Sequence, residues 1–429
     1  MKVAIIGSAF SGNRGAAAML ESSIAHLTAQ GDDVEITHLS MYPRSDADLN
    51  VHDNVEVMDA SPLRLGVLIN GGALLWRLLP PARDAIRKAV PEVGAIADAD
   101  VLLDEGGITF VDGREKYLIY NVASILPALN TGTPVVKCAQ ALGPFENPVN
   151  RALAGIYLPK MAAIISRGAI THEHLMGLGL TNVTAGADMA FTLDITPEDR
   201  EIAEASVPAS FFAGGDVVGY SPSQVLRESA AKRGEDYVAE VVRHIDHLTE
   251  VMGRPVLLIA HSTRPNPDKL HNNDGPVCRE ILANVASPEK VRFAEGELTP
   301  GALRVLIGQC DLFVASRFHA MVSSLAQGVP TLVLGWSHKY REVLDQVGQA
   351  EWAMAASDAT VEAFEERMTD LDRAKQEIRA QLTTAVPAVR ETAMEQFGII
   401  RRVAREGRIG RAAKAAIKGY LSTPAPSER

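Results

Sequence analysis

The chain has 429 residues, a formal net charge of −11, 47% hydrophobic residues and 5% aromatic residues. This length exceeds one ordinary core and predicts two domains of about 150–200 residues each. The negative charge and the scarcity of aromatic rings argue against a nucleic-acid partner, because phosphate backbones need a basic surface and bases need stacking platforms. The three cysteines lie far apart and form no CxxC pair or Cys/His cluster, so we expect a reducing compartment, no disulfide framework and no metal site.

The N-terminal residues Met1–Gly7 lead directly into a strand pattern and lack the basic region and cleavage site of a signal peptide. The most apolar stretch, Leu63–Leu79, is shorter than the about 20 residues that cross a bilayer. It also carries Asn70 and Arg77. We therefore expect a cytoplasmic protein without a transmembrane helix.

Short β-branched runs alternate with longer helical patterns along the whole chain, which is typical of parallel sheets covered by helices. In the first half, strands are predicted at Val3–Gly7, Val34–His38, Val101–Asp104, Pro134–Ala139 and Ala163–Ser166. In the second half, strands are predicted at Val217–Tyr220, Val256–His261, Val291–Ala294, Asp311–Ser316 and Thr331–Gly335. The predicted fold class is α/β, with two Rossmann-like, doubly wound domains whose strand ends face a cleft.

An acidic segment with Pro and Gly, Asp194–Gly215, separates the two series of strands. It predicts an N-terminal domain at 1–195, a C-terminal domain at 210–385 and a basic helical tail at 386–429. The composition of the tail is compatible with contact with an anionic membrane surface. The favoured alternative is a solvated helix whose apolar side packs on the body of the protein.

The segment Ser316–Ala320 has the features of an anion site. An apolar strand ends there and a helix follows, so Arg317 and His319 lie beside free backbone N–H groups at a helix N-terminus. A histidine in this position can serve as a general acid or base. We therefore take Arg317 and His319 as candidate catalytic residues, with Ser316 in substrate binding. The alternative is that Arg317 and His319 only hold the turn together.

The next strand end carries His338 and Lys339, which we take as further substrate-binding candidates. Lys339 is expected to project from the strand edge, close to Arg317 if the two strands are adjacent. The alternative is an ordinary surface lysine.

Other strand ends carry further candidate substrate-binding residues, namely Arg167 and His261. Asn13 lies in the glycine-containing turn after the first strand, whose glycines have the wrong spacing for a dinucleotide fingerprint. Asp104 and Asp112 flank flexible glycines, where carboxylates are suited to sugar hydroxyls. Helix capping and turn formation are the alternative for these polar residues.

The order of these segments resembles the polysaccharide pyruvyl transferase family. The resemblance covers roughly residues 1–350, and no single motif decides it. The matching segments are Gly12–Ala16, Gly106–Asp112, Ala139–Pro144, Ser166–Gly168, Asp188–Phe191, Ser316–Ala320 with Gly328–Pro330 after it, and the region of Lys339. The sequence departs from the family pattern at Ala16, where an acidic residue is usual, and at Gly168, where Asp is usual. These departures concern acceptor contacts and the geometry of the first domain.

The resemblance implies a GT-B-like pair of domains and a transferase that uses phosphoenolpyruvate as donor, with no further cofactor. The implied acceptor is a sugar of a polysaccharide, a glycolipid or a lipid-linked precursor, and the implied product is a cyclic pyruvate ketal. Arg317, Lys339 and Arg167 would hold the phosphate and carboxylate of the donor. His319 would be the acid or base. The basic tail, judged by its composition, is compatible with contact at the inner face of the membrane from the cytoplasm.

Two other functions remain open from the residues alone. A GT-B glycosyltransferase that uses a nucleotide sugar shares the fold and the anion site, so fold does not separate the two. Such an enzyme needs a carboxylate in the second domain for the ribose, and no clear glutamate follows Ser316–Ala320. A non-catalytic sugar-binding or scaffold protein is the second alternative.

Overall fold

The computed structural model describes residues 1–29, 33–264, 272–335 and 338–422, without the side chains of 338 and 411–422. The strands of the first half are β1 (Lys2–Ile6), β2 (Glu35–Ser40), β3 (Val55–Asp59), β4 (Val101–Asp104), β5 (Ile108–Val111), β6 (Val135–Gly143), β7 (Ala163–Ser166) and β8 (Val183–Ala185). The strands of the second half are β9 (Val218–Ser221), β10 (Val256–Leu258), β11 (Val291–Phe293), β12 (Leu312–Ala315), β13 (Thr331–Leu334) and β14 (Ala353–Met354).

Sixteen α-helices occur in the described part of the chain. Those of the first half are α1 (Arg14–Thr28), α2 (Pro43–Leu49), α3 (Asn70–Leu78), α4 (Arg83–Ala89), α5 (Pro91–Asp98), α6 (Leu118–Thr131), α7 (Pro148–Tyr157) and α8 (Ala169–Gly177). Those that follow are α9 (Pro197–Ser206), α10 (Gln224–Arg233), α11 (Tyr237–Asp246), α12 (Gly275–Asn284), α13 (Pro300–Gly308), α14 (Phe318–Ala326), α15 (His338–Gln346) and α16 (Val361–Ser422).

The first sheet is entirely parallel, with the strand order β3-β2-β1-β4-β6-β7-β8 and with β5 paired to the carboxyl end of β6. Alternate residues of β1 enter two different cores, as the twofold side-chain period of a strand requires. Val3 and Ile5 join the core that continues into the second domain, whereas Ala4 and Ile6 join the core on the opposite face. The sheet is therefore covered on both faces.

The second sheet is also parallel and has the order β11-β10-β9-β12-β13-β14. Strand order reverses beside β1 in the first sheet and beside β9 in the second. Open α/β sheets bind their ligands outside the carboxyl ends of the strands at such a reversal. The prediction of two Rossmann-like, doubly wound domains is confirmed.

The segment between the two sheets is anchored to the second domain. A capping box formed by Thr196 and Asp199 starts α9, and the hydroxyl of Thr299, at the start of α13, also donates to Asp199. α9, which lies in the segment predicted as the domain junction, thus packs against α13 of the second domain.

α16 connects the two domains along one side of the molecule. It crosses the boundary predicted at 386, burying Phe364 and Met368 in its first part and Phe397 and Ile400 further on. A guanidinium nitrogen of Arg401 donates to the carbonyl oxygen at the C-terminal end of α1 at 2.8 Å. Up to residue 404, the predicted tail region is therefore a helix packed on the body of the protein.

Candidate functional site

The loop after β1 and the loop after β10 meet across the two domains. The N–H of Thr263 donates to the carbonyl oxygen of Gly12 at 2.9 Å, and the N–H of Arg14 donates to that of His261 at 3.3 Å. The buried Arg14 guanidinium also pairs with Glu297 at 2.8 Å. These contacts bring the carboxyl edges of both sheets together around the N-terminus of α14.

α14 presents His319 at this junction. β12 ends at Ala315, Arg317 is the N-cap, and His319 is the second residue of the helix. The ring of His319 packs so closely on the first turn of α1 that a Cβ at Gly15 would lie 1.9 Å from its Nδ1. Glycine is required at position 15 because any side chain there would displace this ring.

The His319 imidazole lies beside a buried carboxylate. Its Nε2 lies 3.7 Å from Oδ2 of the buried Asp188 and has no hydrogen-bond partner among the described residues. Burial, reinforced by the positive charges of Arg167 and Lys339, holds the pKa of His319 well below its ordinary value. The ring is therefore neutral at pH 7, and burial raises the pKa of Asp188 against the opposing effect of Arg167.

Arg167 occupies the centre of the site. Its side chain is 1% exposed, and Nη1 donates to the carbonyl oxygen of Gly107 at 3.1 Å and lies 3.6 Å from Asp188. The guanidinium carbon lies 4.4 Å from the ring centroid of Phe318. Its Nε and Nη2 have no hydrogen-bond partner in the described part of the chain. A buried guanidinium with unused donors is suited to an anionic ligand.

Lys339 approaches the same aromatic ring from the second domain. It is the second residue of α15, so the expectation that it projects from a strand edge is wrong: β13 already ends at Leu334. Its Nζ lies 5.3 Å from the ring centroid of Phe318. Burial and the neighbouring charges, chiefly Arg167 and then Arg114, lower the pKa of Lys339 to about 7. We call Arg167, Asp188, Phe318, His319 and Lys339 the Phe318 cluster.

The guanidinium of Arg317 is bound by side chains of its own domain. Its Nε lies 2.9 Å from Oδ2 of the fully buried Asp274, and its Nη1 donates to Asn272 Oδ1 at 2.8 Å. Asp274 also accepts the backbone N–H groups of Gln224 and Ser262, each at 2.9 Å. Although burial opposes its charge, Asp274 raises the pKa of Arg317. Backbone N–H groups therefore fix the Asp274 carboxylate, and this carboxylate in turn fixes the guanidinium of Arg317.

His261 and Ser316 lie at the edge of the cluster. Burial, together with the nearby His319 and Arg317, holds the pKa of His261 well below its ordinary value. The N–H of Ser316 donates to a carbonyl oxygen of the neighbouring strand β9 at 3.0 Å. Its own carbonyl oxygen accepts the hydroxyl of Tyr340 at 3.3 Å. The backbone of Ser316 therefore fixes the turn that precedes α14.

The remaining candidates have structural contacts outside the cluster. Asn13 caps α1 by accepting the N–H of its second residue at 3.0 Å. Asp104 is buried and pairs with Lys137 at 2.5 Å. Asp112 accepts two backbone N–H groups of the loop before α7, at 2.6 and 3.1 Å. The side chain of His338 lies outside the described residues.

The family profile described as polysaccharide pyruvyl transferase matches residues 13–338. The chain belongs to this family. It is also 25% identical over 375 residues to the amylovoran biosynthesis protein AmsJ of Erwinia amylovora, covering 82% of this chain and 88% of that protein. The resemblance identified from the motifs is therefore confirmed, together with the assignment to polysaccharide biosynthesis enzymes.

Solved structures show how far the pyruvyl transferase fold is shared. The UDP-GlcNAc 2-epimerase of Neisseria meningitidis has a TM-score of 0.61 at 13% identity, over 94% of this chain and 100% of that chain. The UDP-GlcNAc 2-epimerase of Methanocaldococcus jannaschii has a TM-score of 0.55 at 13% identity, over 87% and 93%. At such low identity these likenesses show the GT-B-like fold alone, which confirms the predicted architecture.

Sequence reasoning missed Asp188 as a site residue of this pyruvyl transferase, although its motif, Asp188–Phe191, was among those that carried the resemblance. The structure shows how the motif is held in place. Arg304 of α13 donates to the carbonyl oxygens of Ala190 and Leu193, at 2.6 and 2.9 Å, so the second domain fixes the segment that carries Asp188. The signal present in the sequence was the aspartate of this motif itself, since the strand before it, β8, was not predicted.

Among the described residues, no helix is both long and apolar enough to cross a bilayer. They also contain no group of three or more His, Cys, Asp or Glu side chains arranged to hold a metal ion.

Proposed function

We propose that this protein transfers the three-carbon unit of phosphoenolpyruvate to two hydroxyls of a sugar in a polysaccharide, glycolipid or lipid-linked precursor. The product is a cyclic pyruvate ketal, and phosphate is released. The observation that carries the proposal is a cationic pair on opposite domains, the buried Arg167 and the half-buried Lys339, which face Phe318 beside the unpartnered His319. No cofactor besides the donor is proposed.

The cationic pair suits a small, multiply charged donor. Phosphoenolpyruvate carries a phosphate and a carboxylate on a compact frame, and the unused donors of Arg167 match such oxygens bidentately. Lys339 adds a point charge from the second domain. The free N–H groups at the start of α14 add a further anion-binding element.

His319 is proposed as the general base. Its depressed pKa keeps the imidazole neutral, so Nε2 can take the proton of an acceptor hydroxyl as that oxygen attacks the central carbon of the donor. Asp188, 3.7 Å away, would stabilise the imidazolium that forms. Of the two hydroxyl protons that leave, one becomes part of the new methyl group and the other leaves with the phosphate. Two C–O bonds form and the C–O bond to phosphate breaks.

Arg317 is proposed as a positioning residue rather than a donor ligand. As the N-cap of α14 it lies two residues before His319, and Asp274 fixes its guanidinium. The pair would thereby set the direction in which His319 leaves the helix. This assignment changes the role that the sequence suggested for Arg317, because the carboxylate already occupies its donors.

A nucleotide-sugar donor has less support. Such donors commonly rely on a carboxylate of the second domain, and Glu342 of α15 is the buried candidate beyond Ser316–Ala320. Both of its oxygens are already used, since the N–H and the hydroxyl of Thr171 donate to them at 2.6 and 3.2 Å. We therefore keep glycosyl transfer only as an outcome of the test.

The test is the thermal stability of the purified protein in titrations with phosphoenolpyruvate, UDP and GDP. A ligand that binds only the native state adds about 2.7 kcal/mol of apparent stability at a hundredfold excess over its Kd. We expect phosphoenolpyruvate alone to stabilise the wild type. Arg167→Ala should lose this effect, whereas His319→Asn should keep it but lose phosphate release with an accepted sugar.

Arg292→Ala provides the matched control, because Arg292 is exposed on β11, away from the cluster. It should behave like the wild type in both assays. Stabilisation by a nucleotide and none by phosphoenolpyruvate would reject pyruvyl transfer in favour of glycosyl transfer. Absence of any effect from all three ligands would favour the non-catalytic alternative.

A further inference from the structure

The first domain carries an apolar surface that no described residue covers. A helix runs from residue 62 through a wide-turn stretch, Arg64–Ile69, into α3. One side of it packs inward through fully buried side chains such as Ile69 and Ala73. The other side, together with the residue that follows α3, exposes seven large apolar side chains by 47–79%: Leu63, Val67, Leu68, Leu74, Leu75, Leu78 and Leu79. We call these seven residues the apolar face.

The neighbouring helix α6 extends the apolar face. Asn70 donates to the carbonyl oxygen of Ala123 at 3.0 Å, and Arg77 to Asn130 at 3.5 Å, so the two helices run parallel and side by side. This register places the start of α6 beside the start of the apolar face. Ile119, in the first turn of α6, is 83% exposed. A contiguous apolar surface of this kind marks an interaction site on a soluble domain.

The charge around the apolar face is opposite to that of the whole chain. Residues 61–90 contain five Arg or Lys and one acidic residue, in a protein of net charge −11. Arg64 and Arg87 are paired with carboxylates. Arg77 donates to a side-chain amide oxygen and Arg83 to a backbone carbonyl oxygen, so both keep their net charge, and Lys88 is exposed. The rim of the apolar face is therefore cationic.

We propose that the apolar face docks the protein on the surface of a bilayer that contains anionic phospholipid. A helix with exposed leucines on one side and cations at its margins lies in the plane of such an interface, with the apolar side chains among the acyl chains. A second copy of the chain fits less well. In a symmetric dimer the same cationic rim would face itself, and the charges would repel.

The position of the apolar face suits an enzyme whose acceptor is carried by a lipid. The loop that leads into α6 holds Arg114 and Lys116 against the ring of Tyr117. Arg114 also lies near enough to Lys339 to lower the pKa of that amine. The apolar face therefore begins at the same loop that borders the Phe318 cluster. This link to a lipid-linked acceptor rests on the proposed function, whereas membrane docking itself does not.

The experiment is co-sedimentation of the full chain with vesicles of phosphatidylcholine alone or with 30% phosphatidylglycerol. We expect binding to the mixed vesicles that weakens with salt and with loss of the anionic lipid. Leu74→Ser/Leu78→Ser should lower the partition coefficient at least about tenfold, which corresponds to about 1.4 kcal/mol. Val51→Ser/Val251→Ser, at two exposed positions outside the apolar face, is the matched control and should bind like the wild type.

Further outcomes decide between this surface and others. Lys414→Glu/Lys418→Glu reverses charge in the basic tail and should leave binding unchanged; loss of binding in this variant alone would overturn the proposal. Equal binding by the leucine variant and the wild type would do so too, as would no binding by the wild type. A wild-type dimer without lipid that the leucine variant dissociates, with no vesicle binding, would identify an interface between copies instead.

Two controls keep these results interpretable. The leucine variant should unfold at the wild-type temperature, because both side chains lie on the exposed side of α3. Vesicle binding is measured without donor or acceptor. Failure of this proposal therefore leaves pyruvyl transfer untouched, and failure of the donor titration leaves membrane docking untouched.

Discussion

We predict that the affinity for phosphoenolpyruvate depends on pH through the amine of Lys339. Burial, Arg167 and Arg114 together lower its pKa to about 7, so the amine of the free protein loses its charge as the pH rises above neutrality. If the ammonium form holds the donor, the affinity for phosphoenolpyruvate must fall in the same range. The perturbation to apply is therefore a pH titration of the wild type beside Lys339→Arg.

The magnitude follows from linkage between binding and protonation. Well above the pKa of the free protein, the apparent Kd rises about tenfold for each pH unit, since one pKa unit is worth 1.36 kcal/mol. With a pKa of about 7, half of the amine is already uncharged at pH 7, so the rise between pH 7 and pH 9 is about fiftyfold. Above pH 7 the donor contributes little, because its second phosphate ionisation lies near pH 6. His319 does not contribute either, because its pKa lies well below its ordinary value.

Calorimetric titration with phosphoenolpyruvate at pH 6, 7, 8 and 9 measures this dependence directly. Lys339→Arg should give a nearly constant Kd, since a guanidinium stays charged throughout the range. Lys339→Met should bind weakly at every pH. A wild-type Kd that stays flat up to pH 9, or a slope that persists in Lys339→Arg, would refute the role given to this amine.

Two further predictions concern the support of α14. Gly15→Ala should lower turnover at least about a hundredfold while sparing donor affinity, because its Cβ would lie 1.9 Å from His319 Nδ1 and displace the base; a phosphate-release assay with normal kinetics would contradict it. Asp274→Ala should lower the free energy of unfolding by about 3–5 kcal/mol, because it leaves the Arg317 guanidinium without its buried partner. In urea unfolding, Asp274→Ala/Arg317→Ala should lose less than the two single variants added together, and simple additivity would contradict the pairing.

Local pattern predicted the strands that are buried on both faces. β4 and β7 have the bounds expected from the sequence, because each is a continuous apolar run that ends at a polar residue. Four strands were not predicted, namely β3, β5, β8 and β14. Val183–Ala185 is only partly buried at the edge of its sheet, and Ala353–Met354 has just two residues, so neither carries a clear hydrophobic signal.

The candidate site was predicted in part for a related reason. Parallel strand ends share one edge of a sheet, which is how Arg167, His319 and Lys339 were recognised as candidates, and the structure places all three around Phe318. The contact between Arg317 and Asp274 joins residues 43 positions apart, and only the packing of the second domain reveals it. Lys339 was misplaced because the start of α15 at residue 338, so soon after β13, was not predicted.

Gly168 shows that a departure from the family pattern can preserve its physical purpose. An aspartate at an N-cap satisfies the N–H groups of the first turn of its own helix. In this chain Gly168 is the N-cap of α8 and has no side chain to accept a hydrogen bond. Glu342 of the other domain instead accepts the N–H of Thr171, three residues after Gly168, at 2.6 Å. A Cβ at position 168 would lie 2.2 Å from the Cγ of Glu342, so a side chain there and this glutamate exclude each other. The carboxylate is thus present but belongs to the second domain. Glu342 therefore links α15 to the first turn of α8.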